Sequence, residues 1–289
     1  MIEVIRSGPL TTVQDLGRPG LAHLGVGRSG AADRTSLRLA NRLVGNRESR
    51  AALETTFGGL SVRFTAGATV AVTGAPLALR VEGRQRADHA PFYVEAGTVL
   101  ELGVPSVGVR SYLAVRGGIA VPKVLGSRST DLLAQLGPDR LAAGDCLPVG
   151  RARGELPGID HVAVPGLPVE PSLRVVPGPR VDWFTESAWQ TLGSTRFEVS
   201  DKADRVGVRL VGAGLERARD GELLSEGLVD GAIQVPPDGN PVVFLADHPV
   251  TGGYPVIGVV HPEDLALVAQ LRPGQGVRFT LQPPLPIRA

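Results

Sequence analysis

The run Ala68-Thr69-Val70-Ala71-Val72-Thr73-Gly74-Ala75-Pro76-Leu77-Ala78-Leu79-Arg80-Val81 holds the pattern that governs the whole chain. A short Val-rich segment ends at Gly-Ala-Pro, and a second short segment follows with apolar residues at every other position. Alternation at period two is the mark of a half-buried strand, and Gly and Pro punctuate strands at turns. The same pattern recurs at Thr98–Leu102, Tyr112–Val115, Ala232–Val235, Val242–Ala246 and Val277–Leu281. The chain therefore reads as mostly β. Its 38 Gly and 24 Pro in 289 residues match many tight turns, because 43% hydrophobic residues is too apolar for disorder.

Helical patterns are few. Leu37, Ala40, Leu43 and Val44 form one apolar stripe over Ala32–Val44, with Ser29 or Asp33 as a cap at the start and Gly45 at the end. A second helix is predicted from Asp182 to Leu192, a third after Pro262 through Leu271, and a short one over Thr130–Leu136. The motif Ala32-Asp33-Arg34-x-x-x-Arg38-Leu39 matches Ala203-Asp204-Arg205-x-x-x-Arg209-Leu210. Upstream of each lies a Val-rich strand ending at Gly8-Pro9 or Gly178-Pro179, and Glu54 and Glu226 follow downstream. The order is kept at a nearly constant offset, which predicts an internal duplication. The expected modules are 1–150, with extra strands and a helix, and 174–289, joined by a Gly- and Pro-rich linker over 151–173.

Composition removes several chemistries. The net charge of +1 gives no basic surplus for nucleic acid, and no apolar run is long enough to span a membrane. Cys146 is the sole cysteine, and the N-terminus lacks a signal-peptide pattern, so the cytoplasm is the expected compartment. Lys123 and Lys202 are the only lysines, and no Gly-Lys dipeptide exists for a P-loop. Met1 is the only methionine, so a Met-Lys-Met biotin attachment site is absent and no covalent biotin is expected on this chain. The five histidines have no metal spacing, and no G-x-S-x-G elbow occurs, so no metal and no self-contained hydrolase are expected.

Four segments are polar or glycine-rich beyond what folding asks. The first, Thr11–Gly20, offers Gln14, Asp15 and Arg18 together. An Arg fork binds carboxylate or phosphate, or pairs with Asp15 to pin a turn. The second, Gly126–Asp131, reads as a helix cap at Ser129 or Thr130, which leaves Arg128 unexplained. The third, Asp204-Arg205-x-Gly207-x-Arg209, reads as a pair that locks the module. The fourth joins Gln234–Gly239 to Asp247-His248-Pro249-Val250-Thr251-Gly252-Gly253-Tyr254. A Gly pair fed by a Val-rich strand lets backbone N–H groups approach a ligand closely.

Along these segments the chain resembles the family variously called allophanate hydrolase subunit 2, the biotin-dependent carboxyltransferase family, or the C subunit of bacterial 5-oxoprolinase. The Kip-inhibitor antagonist of sporulation control is also a member. The matching stretches are TVQDLGRPG (Thr12–Gly20), SGAAD (Ser29–Asp33), ANRLVG (Ala40–Gly45), YLAVRGGI (Tyr112–Ile119), VLGSRSTDL (Val124–Leu132), SEGLVDGAIQVPP (Ser225–Pro237) and TGGYP (Thr251–Pro255). The resemblance implies two tandem cyclophilin-like β-barrel modules. It also implies a smaller allophanate-hydrolase-subunit-1-like partner and, in a 5-oxoprolinase, a third subunit, with ATP held on this chain or on a partner. Val250 and Val256 stand where relatives often carry Thr and Lys.

The function so implied is that of the C subunit of an ATP-dependent 5-oxoprolinase, opening the lactam of 5-oxoproline to glutamate. Asp247, Tyr254 and Arg205 are expected at the chemistry. Gln234, Thr251, Gly252, Gly253, Gln14, Asp15, Arg18 and Arg128 are expected to hold the substrate, with Arg18, Arg128 and Arg205 directing positive charge toward phosphate. Two alternatives stand beside it: a carboxyltransferase component acting on urea or a related small amide, and a non-enzymatic regulator that antagonises a kinase-inhibitor partner.

Overall fold

A computed structural model describes residues 1–221 and 223–283. The chain divides into two compact units, Met1–Gly20 with Arg28–Gly166, and Leu21–Gly27 with the residues from Leu167 onward. The stretch 151–173 is thus split between the units, its greater part lying with the first.

In the first unit the strands are β1 (Ile2–Ser7), β2 (Leu10–Gln14), β3 (Ala52–Thr56), β4 (Leu60–Phe64), β5 (Ala68–Gly74), β6 (Leu79–Val81), β7 (Arg84–Arg86), β8 (Pro91–Val94), β9 (Val99–Leu102), β10 (Arg110–Val115) and β11 (Cys146–Leu147). They form two sheets, β11-β1-β4-β9-β6-β7 and β2-β3-β10-β5-β8. Helix α1 (Arg34–Leu43) covers the second sheet. The quoted run supplies β5 and β6, which fall in different sheets because Gly74, at φ 94°, turns the chain between them. Strand β10 shows the layering. Leu113 and Val115 face the core between the two sheets, while Tyr112 and Ala114 pack against Leu37, Ala40 and Leu43 of α1. A strand buried on both faces loses the polar alternation of an edge strand, as Arg110–Val115 does.

The second unit contains β12 (Ser172–Pro177), β13 (Phe197–Val199), β14 (Gly207–Val211), β15 (Glu226–Gly227), β16 (Ala232–Gln234), β17 (Val242–Phe244), β18 (Thr251–Gly252), β19 (Val256–Val260) and β20 (Gly276–Leu281), with helices α2 (Glu186–Ser194) and α3 (Leu265–Val268). Seven strands close into a barrel in the order β12-β19-β16-β17-β14-β13-β20. The seam is parallel, Ser172 opposite Arg278 through Val175 opposite Leu281, and the remaining pairs are antiparallel. Closure leaves no open edge among these strands. Leu173, Val175, Phe197, Val199, Val208, Leu210, Val277 and Phe279 are all buried, and Phe197 meets Phe279 edge to face at 5.7 Å. Strands β15 and β18 pair only with each other.

The protein is mostly β with few short helices, as read from sequence, and β modules follow in tandem. The hydrogen-bonded closed ring belongs to the second, while the first encloses its core between two sheets. Two local expectations are corrected. Thr130–Leu136 is a turn, not a helix: Asp131 accepts the N–H groups of Leu133 and Ala134, and the bridge Asp131–Leu136 closes it with Gln135 at φ 54°. The repeated Ala-Asp-Arg motif falls on unlike elements. Asp33 caps α1 through Ser36 N–H, whereas Asp204 turns the chain into β14 through Val206 N–H and Gly207 N–H.

Candidate functional site

In the first unit the TVQDLGRPG turn follows β2 and meets the turn at 127–131. Asp15 is buried. Its Oδ1 accepts the hydroxyls of Ser127 at 2.6 Å and Ser129 at 2.7 Å and the Gly17 N–H at 2.8 Å, and its Oδ2 accepts the Arg128 N–H at 2.7 Å. Gln14 Nε2 donates to Thr12 Oγ1 and to the Thr130 carbonyl. Arg18, with its side chain wholly buried, donates from Nη2 to the Ser129 carbonyl and lies 3.8 Å from Asp131. Arg128 donates from Nε to the Val121 carbonyl. The four residues of this unit nominated from sequence therefore do come together, but Asp15 directs its lone pairs at the protein itself. Gly17 cannot change: at φ 82°, a Cβ there would lie 2.4 Å from the Arg28 carbonyl oxygen.

The same unit holds a second buried network that the sequence does not reveal. Tyr112 donates to Glu54 Oε2 at 2.7 Å, and its hydroxyl accepts the Asp33 N–H at 2.8 Å. Glu54 also accepts the Ala32 N–H, and Arg110 lies 3.8 Å from it. Burial, then the nearby Glu54 charge, pushes the Tyr112 phenol well above its ordinary range. This network fixes the start of α1.

In the second unit the loop Asp247–Tyr254 runs from the end of β17 through β18. Arg205 and Asp247 form a buried two-pronged ion pair, Nε to Oδ2 at 2.9 Å and Nη2 to Oδ1 at 3.0 Å, and the Asp247 N–H donates to the Arg205 carbonyl. Both are nominated residues, and each holds the other, so the loop leaves β17 at a fixed angle. Gln234, on β16, donates from Nε2 to the Tyr254 carbonyl at 2.9 Å. Gly252 makes room for it, since a Cβ at 252 would lie 2.7 Å from Gln234 Nε2 and 2.9 Å from a Leu228 methyl. Thr251 and Gly252 pair with Gly227 and Glu226, and Glu226 is held by Arg180. The Arg180 hydrogen bonds keep the Glu226 carboxyl below its usual range.

The outcome is a loop whose root is buried and whose tip faces out. Thr251 is exposed, Tyr254 is 45% exposed, and the intervening glycines bare the backbone. His248 is buried, with Nδ1 at 2.7 Å from the Pro249 carbonyl and Nε2 at 3.4 Å from Asp230. The arrangement supplies hydrogen-bond donors and a phenol, which suits binding and polarising a small polar ligand. Arg217 also lies here, its guanidinium 5.8 Å from the centre of the Tyr254 ring. It sits in no motif, and nothing in its local sequence sets it apart.

The family model described as carboxyltransferase domain, subdomain A and B, matches residues 24–281. The chain is 39% identical over 282 residues to the 5-oxoprolinase C subunit of Escherichia coli (strain K12), covering 96% of this chain and 90% of that protein. It is 33% identical over 287 residues to the 5-oxoprolinase C subunit of Haemophilus influenzae, again covering 96% and 90%. Among solved structures, the urea carboxylase of Kluyveromyces lactis superposes with a TM-score of 0.90 at 33% identity, covering 99% of this chain but 27% of that one. A further solved chain, 39% identical with a TM-score of 0.89, is 55% covered.

Proposed function

Because the chain belongs to the carboxyltransferase domain family, subdomains A and B, we propose that it is the C subunit of a 5-oxoprolinase, a hydrolase complex that opens a lactam with ATP. The observation that carries this reading is the 39% identity to a 5-oxoprolinase C subunit along 96% of this chain and 90% of that protein. The partners are a smaller subunit related to allophanate hydrolase subunit 1 and a third subunit. The loop chemistry supports the role. Opening an unstrained amide asks for an activated carbonyl, and phosphoryl transfer asks chiefly for positioning and charge stabilisation. The Thr251–Tyr254 backbone, the Tyr254 phenol and Gln234 hold the lactam. Asp247 and Arg205 act through the loop they anchor, and Gln14, Asp15, Arg18 and Arg128 shape a turn of the first unit.

The likeness to a urea carboxylase, at a TM-score of 0.90, supports a second reading in which a neutral amide such as urea takes the place of the lactam. The site is tested by Gly252→Ala. The added methyl displaces the Gln234 amide from the Tyr254 carbonyl and presses only on a Leu228 methyl at the edge of the core. Glutamate formation by the assembled complex is expected to fall about 100-fold, the effect of a misplacement near 1 Å, while the melting temperature stays within a few degrees. Full turnover by this variant would remove the loop from the site.

A further inference from the structure

Arg217 lies between β14 and β15, and its backbone is fixed. It forms an isolated bridge with Phe184, and its neighbours make two more main-chain hydrogen bonds, Thr185 N–H to the Glu216 carbonyl and Ala218 N–H to the Trp183 carbonyl. The side chain is equally constrained. Nη2 donates to the Val235 carbonyl at 2.6 Å, next to Gln234, and the guanidinium faces the Tyr254 ring. Its Nε is buried and has no hydrogen-bond partner among the described residues. Nearby arginines are paired with carboxylates: Arg180 with Glu226, Arg205 with Asp247, and Arg219 with Asp182 at 2.8 Å. Arg217 has no such carboxylate among the described residues.

Arg217 lines a groove of about 460 Å³ between the 214–221 and 236–239 turns. Leu215, Pro236 and Pro237 supply apolar surface, and the Leu215 N–H to Gly239 carbonyl bond ties the two turns together at 3.0 Å. With Nε buried and one Nη2 hydrogen on the Val235 carbonyl, the guanidinium keeps its Nη1 hydrogens and the second Nη2 hydrogen, and that edge suits the two oxygens of a carboxylate. Glu216, Asp220 and Asp238 also line the groove, and all three are exposed or nearly so. Arg219 lines it too, so three carboxylates face two arginines, a balance that disfavours a polyanion such as a nucleotide triphosphate more than a ligand with one negative charge.

We infer that Arg217 is the carboxylate-binding residue of a subsite in this groove, and that the ligand is a small amide or lactam carrying a single carboxylate. The inference deepens the proposed function and rests on it, since 5-oxoproline carries one carboxylate beside its lactam whereas urea carries none. The guanidinium over Tyr254 places the carboxylate subsite beside the loop that holds the amide.

The test uses the assembled complex. Arg217→Ala is expected to raise KM for 5-oxoproline roughly 10- to 100-fold, the range for losing a charged hydrogen bond. kcat should change only a few-fold, Arg217→Lys should recover part of the loss, and both melting temperatures should stay near the parent value. An unchanged KM in Arg217→Ala overturns the subsite and leaves the proposed function standing. If the parent complex forms no glutamate from 5-oxoproline, the proposed function fails and the subsite is judged on the full chain alone, by equilibrium dialysis with acetate against acetamide. Acetate binding that Arg217→Ala weakens at least tenfold supports the subsite. Absent acetate binding, or binding equal in parent and variant, overturns it.

Discussion

Asp247→Ala lowers the unfolding free energy by about 3–5 kcal/mol, because it strands the buried Arg205 guanidinium without its carboxylate. Both members of this pair have side chains at most 2% exposed. A buried charge that loses its carboxylate regains no hydration in exchange, a penalty larger than what the pair itself contributes. The midpoint of denaturant unfolding reports the change. The double variant Arg205→Met with Asp247→Leu should recover much of the loss, since apolar residues of similar volume often replace a buried ion pair with little cost. If the single variant unfolds within about 0.5 kcal/mol of the parent, the pair does not anchor the loop.

Asp15→Ala carries the second large effect, in the first unit. The change removes the acceptor for four donors at once: two hydroxyls and two backbone N–H groups. Each buried donor left unsatisfied costs about 1–3 kcal/mol. Water entering the space relieves part of this, so a loss of about 3–5 kcal/mol is expected, read again from denaturant unfolding. Asp15→Asn is milder in shape but turns an amide N–H₂ toward other donors, and it too should destabilise. A parent-like midpoint for both variants would show that the two turns hold together without the carboxylate.

The strands are the legible part of this protein. Val-rich alternation between Gly and Pro marks β5, β6, β9, β10, β16, β17 and β20 within a residue or two, because period-two burial is a local property. Helix α1 is legible for the same reason, with Asp33 and Gly45 as its signals. The turn at 130–136 is not. Ser129, Thr130 and Asp131 are good caps, but here the Ser129 hydroxyl serves Asp15, 114 residues away, and Asp131 closes a turn instead. The roles of the nominated residues depend on such distant partners. Arg205 meets Asp247 across 42 residues, so sequence could name both without showing that each neutralises the other. Arg217 has no local signal at all, since its meaning comes from the Val235 carbonyl, the Tyr254 ring and a groove built from two separate turns.

On the proposed function, this chain is a necessary subunit of a lactam-opening complex. The most direct measurement is glutamate release from 5-oxoproline by the chain reconstituted with the proposed smaller partner and third subunit, run with ATP and with each component omitted in turn. Release that requires ATP, 5-oxoproline and this chain together is the predicted result. Release that continues without this chain, or no release with every component present, would contradict it.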